Sequence, residues 1–160
     1  MDGGRGFSLV ELMVTLAIVA ALAMLALPFG ARWMDSDRQL QARGLLTEGV
    51  GQARALSLRN PLGLASGAPV ACLRLAADSL LEVVRLDTGE DCAGGTVVWN
   101  GRPHPAISLA EPATGTSFRC VAFDSRGAYA DPALVPDCTQ VARLRVTGRD
   151  PAEALDVDLL

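Results

Sequence analysis

The sequence contains no lysine, a single histidine and few aromatic rings, with two Trp, one Tyr and four Phe among 160 residues. All 14 basic side chains are arginine, and they are outnumbered by 18 acids, giving a formal net charge of -4 and a pI near 4.9. That balance excludes a generally basic, nucleic-acid-coating surface. The lone His104 sits between Pro103 and Pro105, with no acid or nucleophile at a spacing that suggests a dyad. No CxxC pair is present, so zinc-ligand spacing is absent, and no EF-hand spacing surrounds the acidic stretch Asp87, Glu90 and Asp91. There is no internal repeat and no low-complexity tract. The expectation is a chain without catalytic residues, cofactor or metal, and long enough for one globular domain.

What the sequence does have is concentrated at its start. From Leu12 to Ala31, 20 consecutive residues carry no charge, which at about 1.5 Å per helical residue is one bilayer core. Trp33 follows and suits an interfacial belt. A short leader, Met1 to Gly6, precedes Phe7-Ser8-Leu9-Val10-Glu11. Glu11 is the odd residue. A carboxylate buried mid-bilayer costs roughly 2.5 to 3.5 kcal/mol, less near the interface, so it needs a partner or a task.

Gly6 directly before Phe7, Glu11 as the fifth residue from Phe7 and Pro28 as the twenty-second together resemble the type IV pilin precursors. The resemblance implies that a prepilin peptidase cleaves between Gly6 and Phe7 and that Phe7 is N-methylated. It also implies that the Glu11 carboxylate faces the charged N-terminus of a neighbouring subunit in a filament. Two unit charges about 4 Å apart attract by about 4 kcal/mol at an effective dielectric near 20, which offsets much of the burial cost and sets axial register. An ordinary secretory signal cleaved near Ala21, Ala23 or Ala26 leaves the string from Gly6 to Glu11 without a role. A plain signal anchor explains the apolar run but neither Gly6 nor Glu11. The resemblance further implies major and minor pilins, an inner-membrane assembly platform and membrane lipid as partners, with the globular part in the periplasm.

Beyond Pro28 and Gly30, Ala42, Leu45, Leu46, Gly49, Val50, Ala53 and Leu56 form one apolar stripe at helical spacing, with Arg43, Glu48, Arg54 and Arg59 away from it. An amphipathic helix from about Asp35 ends at Asn60-Pro61. The helix from Phe7 to Arg59 would be about 80 Å long, with proline favouring a kink at position 28. Strands are expected at Val70–Leu75, Leu80–Leu86, Thr96–Trp99, Ala106–Leu109, Ser117–Phe123, Val141–Val146 and Leu155–Leu159. In Val141–Val146, alternation places Ala142, Leu144 and Val146 on one face and Arg143 and Arg145 on the other. Turns are expected at Asp87-Thr88-Gly89, Asn100-Gly101 and Ser125-Arg126-Gly127, and Trp99 in the core or at a subunit contact. The predicted architecture is α+β: a long N-terminal helix, transmembrane then amphipathic, packed on antiparallel sheet in the manner of a pilin fold. Its divisions are a leader (1–6), a transmembrane helix (7–33) and a periplasmic domain (34–160). Four cysteines, Cys72, Cys92, Cys120 and Cys138, in an exported domain point to disulfides. Three connectivities exist; sequence proximity favours Cys72 with Cys92 and Cys120 with Cys138, each loop closure stabilising by about 3 kcal/mol.

The helix end Gln52–Asn60, the strand Val70–Leu73, the turn Phe123–Gly127 and the closing Val146–Arg149 resemble the minor subunits grouped as GspH/FimT pseudopilins. That resemblance implies a subunit that helps initiate or cap a type II secretion pseudopilus or a type IV pilus. Some FimT-like members bind DNA through a C-terminal Gly-Arg-x-Arg motif. Here the stretch is Gly148-Arg149-Asp150-Pro151, so the second arginine is missing. DNA as a partner therefore rests on a patch of Arg143, Arg145 and Arg149, against Asp150, Glu153, Asp156 and Asp158 nearby.

Overall fold

A computed structural model describes residues 8–87 and 91–159, and for 26–31 the backbone alone. One helix, α1, runs Leu9–Arg59. The chain divides into two compact units with the boundary between Asp35 and Ser36, and α1 contributes to both.

In the second unit the predicted stripe is the buried side of α1: Ala42, Leu46, Val50 and Ala53 are buried, and Leu45 and Leu56 are packed against them. Gly49 lets the helix approach the sheet. A Cβ there would lie 2.8 Å from Leu73 Cδ1 and 3.2 Å from the Trp99 ring, so a larger residue forces these side chains to shift. The helix stops at Asn60, which takes a left-handed φ of 39°, a conformation asparagine tolerates better than most residues. Its side chain then holds the outgoing chain, with Nδ2 donating to the Leu64 carbonyl and Oδ1 accepting from the Leu64 amide, both at 2.9 Å.

Among the described residues seven strands follow, β1 (Pro69–Leu75), β2 (Leu81–Arg85), β3 (Thr96–Gly101), β4 (Ser108–Ala110), β5 (Cys120–Asp124), β6 (Arg143–Thr147) and β7 (Leu155–Asp158). They form two antiparallel sheets, one in the order β3-β2-β1-β5 and one in the order β4-β6-β7. The period of two sorts the four-stranded sheet into two interiors. Ala71, Leu73, Leu81, Val83, Val121 and Phe123 face the main core shared with α1, Leu144, Val146 and Val157. Cys72, Val84, Cys120 and Ala122 face a smaller second core with Leu86, Cys92, Ala130, Val135 and Cys138. The fold is α+β, a helix packed on antiparallel sheet, the architecture expected of a pilin domain.

Three local expectations are corrected. Asn100-Gly101 is not a turn but the end of β3, paired with Glu82 and Leu81; a Cβ on Gly101 would meet Leu45 and Trp99 at 2.8 Å, so close packing explains this glycine. Ala142 is exposed rather than inward. The regular strand begins only at Arg143, after a bend that turns Val141 inward instead. Pairing in the segment from Ser117 starts as an isolated bridge to Ala110, and the strand proper waits until Cys120. The turn expected at Asp87-Thr88-Gly89 falls largely outside the described residues.

Candidate functional site

The first unit presents apolar side chains to its surroundings on every side. Leu9, Val10, Leu12, Met13, Ile18 and Val19 are all exposed, and at about 100° per residue they are spread around the helix rather than along one stripe. Glu11 is exposed in the first turn of α1, where an acid complements the partial positive charge of the helix start. Gly6 and Phe7, the expected cleavage and methylation positions, lie outside the described residues. The backbone is helical through Pro28, whose side chain is likewise outside the description. Among the described residues, no helix is long and apolar enough to cross a membrane.

The arginines of the C-terminal sheet are placed by register. Arg143 lies directly opposite Asp158, and Arg145 opposite Asp156, across β6 and β7. Arg143 Nε donates to Asp158 at 2.7 Å, and Arg145 Nε and Nη2 donate to the two oxygens of Asp156 at 2.8 and 3.1 Å. The hydrogen bond from Arg145 holds the Asp156 carboxyl below its ordinary value. These exposed cross-strand pairs are weak as stabilisers, but they neutralise two of the three guanidinium groups on which the DNA patch rests. Arg149 is exposed beyond the strand. Asp150 caps the short 3-10 turn Pro151–Glu153 by accepting from the Ala152 amide at 2.9 Å.

The turn after β5 is organised by the buried acid Asp124, a member of the Phe123–Gly127 segment to which the sequence assigns no separate role. One of its oxygens accepts from the amides of Arg126 and Ala128 at 2.8 and 3.1 Å, and the other accepts from Arg126 Nε and Nη2 at 3.0 and 2.8 Å. Burial pushes this carboxyl up, but the Arg126 and Ala128 hydrogen bonds outweigh it and hold the group below the ordinary aspartate value. Gly127 closes the turn at a φ of 71°, and its carbonyl accepts from Arg54 Nε of α1 at 3.1 Å. Arg54 lies away from the apolar stripe, as expected, and is half-buried by this tether. Tyr129 stacks near Phe123, with ring centroids 5.7 Å apart, and its hydroxyl donates to the Val141 carbonyl at 3.0 Å.

Other candidates are absorbed by structure. His104 Nδ1 accepts from the Ala106 amide of its own loop at 3.1 Å. Asp91 Oδ1 accepts from the amides of Ala93 and Gly94, which makes it a turn former. Trp99 covers α1 from β3 and donates its indole N–H to Glu48 at 3.0 Å. All four cysteines are paired, Cys72 with Cys92 and Cys120 with Cys138, on the sheet face opposite α1.

No curated protein and no solved structure matches the chain. Residues 1–27 match the prokaryotic N-terminal methylation motif, the stretch that holds Gly6, Phe7 and Glu11. The chain therefore carries a type IV prepilin-like signal, which implies prepilin peptidase processing and pilin partners.

Proposed function

We propose that this chain is a minor pilin-like subunit of the GspH/FimT type, anchored by a single pass in the inner membrane with its domain in the periplasm. In this reading it is a structural subunit and not an enzyme. It helps initiate or cap a type II secretion pseudopilus or the related type IV pilus. The observation that carries the reading is the methylation motif over residues 1–27, with exposed Glu11 in the first helical turn. A domain complete in itself is joined to a helix whose apolar side chains remain uncovered, and such a helix fits burial in lipid first and among other subunits later. Glu11 then pairs with the methylated amine of the neighbouring Phe7.

The ladder of Arg143–Asp158 and Arg145–Asp156 pairs favours assembly over the alternative of a DNA-binding minor pilin, since counterion release needs arginines whose charge is not already met. Sheared filaments from producing cells, probed with antibody to the domain, test the proposal. A low copy number relative to the major subunit supports it; recovery of the chain only in the membrane or only in the medium contradicts it. A salt-dependent gel shift that is lost in Arg143→Ala and Arg149→Ala variants would restore the DNA reading.

A further inference from the structure

The two disulfides are not separate staples. Cys92, in the β2–β3 loop, and Cys138, in the loop before β6, come from different pairs, yet their Sγ atoms are 3.2 Å apart. The Sγ atoms of Cys92, Cys120 and Cys138 all lie within 4.8 Å of one another. Cys72 completes the cluster through its bond to Cys92, and it is fully buried on β1. One side of the cluster is reachable, because an open pocket of about 170 Å³ is lined by Cys92 and Cys120 together with Arg74 and Arg119.

We propose that Cys92 has two disulfide partners, Cys72 in the fully oxidised chain and Cys138 once a dithiol has reduced one of the two disulfides. The sequence of steps balances. A dithiol reductant enters at the pocket and attacks Cys120 Sγ, and Cys138 leaves as a thiolate. The second sulfur of the reductant then releases Cys120, which takes up a proton, while the reductant becomes a disulfide. The Cys138 thiolate attacks Cys92 Sγ, forming Cys92–Cys138 and breaking Cys92–Cys72, and Cys72 leaves and is protonated. One disulfide of the protein is lost, one remains, and the reductant is oxidised by two electrons.

Two features favour the exchanged bond. The attacking sulfur is already in contact with its target, so little loop closure is required. Cys72 is the most deeply buried of the four cysteines, among Val84, Leu86 and Ala122, so once protonated it is the thiol least readily returned to a thiolate for the reverse attack. The consequence is mechanical: the β2–β3 loop is released from β1 and tied instead to the loop before β6.

The test uses the full chain treated with one equivalent of dithiothreitol, quenched with N-ethylmaleimide, digested and mapped without reduction. The expected single-disulfide species contains the Cys92–Cys138 peptide, with Cys72 and Cys120 alkylated. Single-disulfide molecules that retain only Cys72–Cys92 or only Cys120–Cys138 would overturn the proposal, as would a reduced chain that holds zinc on Cys92, Cys120 and Cys138 instead of forming a bond. A Cys72→Ser, Cys120→Ser double variant gives a second reading. If it folds, it is expected to oxidise to Cys92–Cys138, and a folded variant that keeps two free thiols in air contradicts the geometry. If it does not fold, the mapping of the unaltered chain decides.

Discussion

Leu16 and Leu46 belong to one helix and are the same side chain, yet Leu16 is 60% exposed and Leu46 is fully buried. The contrast extends through both regions. After Ser36, most apolar residues find a core within the chain; from Leu9 to Leu25 they find none. Fully burying one such side chain is worth about 1.5–3 kcal/mol, so the first region carries a large unmet driving force, whereas the second is finished alone. The two regions therefore answer to different partners. Substitutions in the first should alter assembly and leave the fold intact, and substitutions in the second should do the reverse.

The sharpest break of that comparison is Glu11→Ala. It is expected to cut incorporation into sheared filaments at least tenfold, a change of about 1.4 kcal/mol or more, with the melting temperature of the domain unchanged. Incorporation at the level of the unaltered chain would remove the proposed pairing. Next in size is Phe123→Ala, which deletes a fully buried ring at the centre of the main core. It should cost about 3–5 kcal/mol in denaturant titration while leaving leader processing intact. Gly49→Val places a branched side chain against Leu73 and Trp99, and about 1–3 kcal/mol of overpacking is expected. If Gly49→Val is neutral, helix and sheet are less tightly apposed than described.

A smaller effect is tied to pH. The folded carboxyl of Asp124 is held below its ordinary value of 3.8. Its contribution is therefore present above that pH and is lost as pH falls through the lowered folded value. Unfolding curves between pH 5 and pH 2 should show this loss, and Asp124→Asn should be less stable at neutral pH with a shallower acid slope. An unchanged slope would mean that Arg126 does not hold the carboxylate in solution. The smallest expected effect is that of Arg143→Ala with Arg145→Ala. Both side chains are exposed and paired across the strands, so melting temperature and retention on a DNA column at physiological salt should both stay where they are.

Much of this was legible where a period or a single residue type decides the outcome. The stripe from Ala42 to Leu56 specified the buried side of α1, and the alternation around Leu144 and Val146 specified the inner face of β6. Ser125-Arg126-Gly127 announced its turn because the chain there needs a positive φ. Asn100-Gly101 misled because the same glycine serves close approach as readily as a turn, and no local pattern separates the two. Ala142 misled because the strand begins two residues later than its alternation suggests. Non-local chemistry stayed hidden. Neither the bond from Arg54 to the Gly127 carbonyl nor the contact between Cys92 and Cys138 leaves a spacing in the sequence, since each joins segments that only the fold brings together.

The account rests on a leader that is removed to expose a new amine. Mass spectrometry of the N-terminal peptide of the protein purified from producing cells measures this directly. The expected peptide begins with N-methylated Phe7 and contains Glu11; a first residue elsewhere, or an unprocessed Met1 in filament-associated material, contradicts the account.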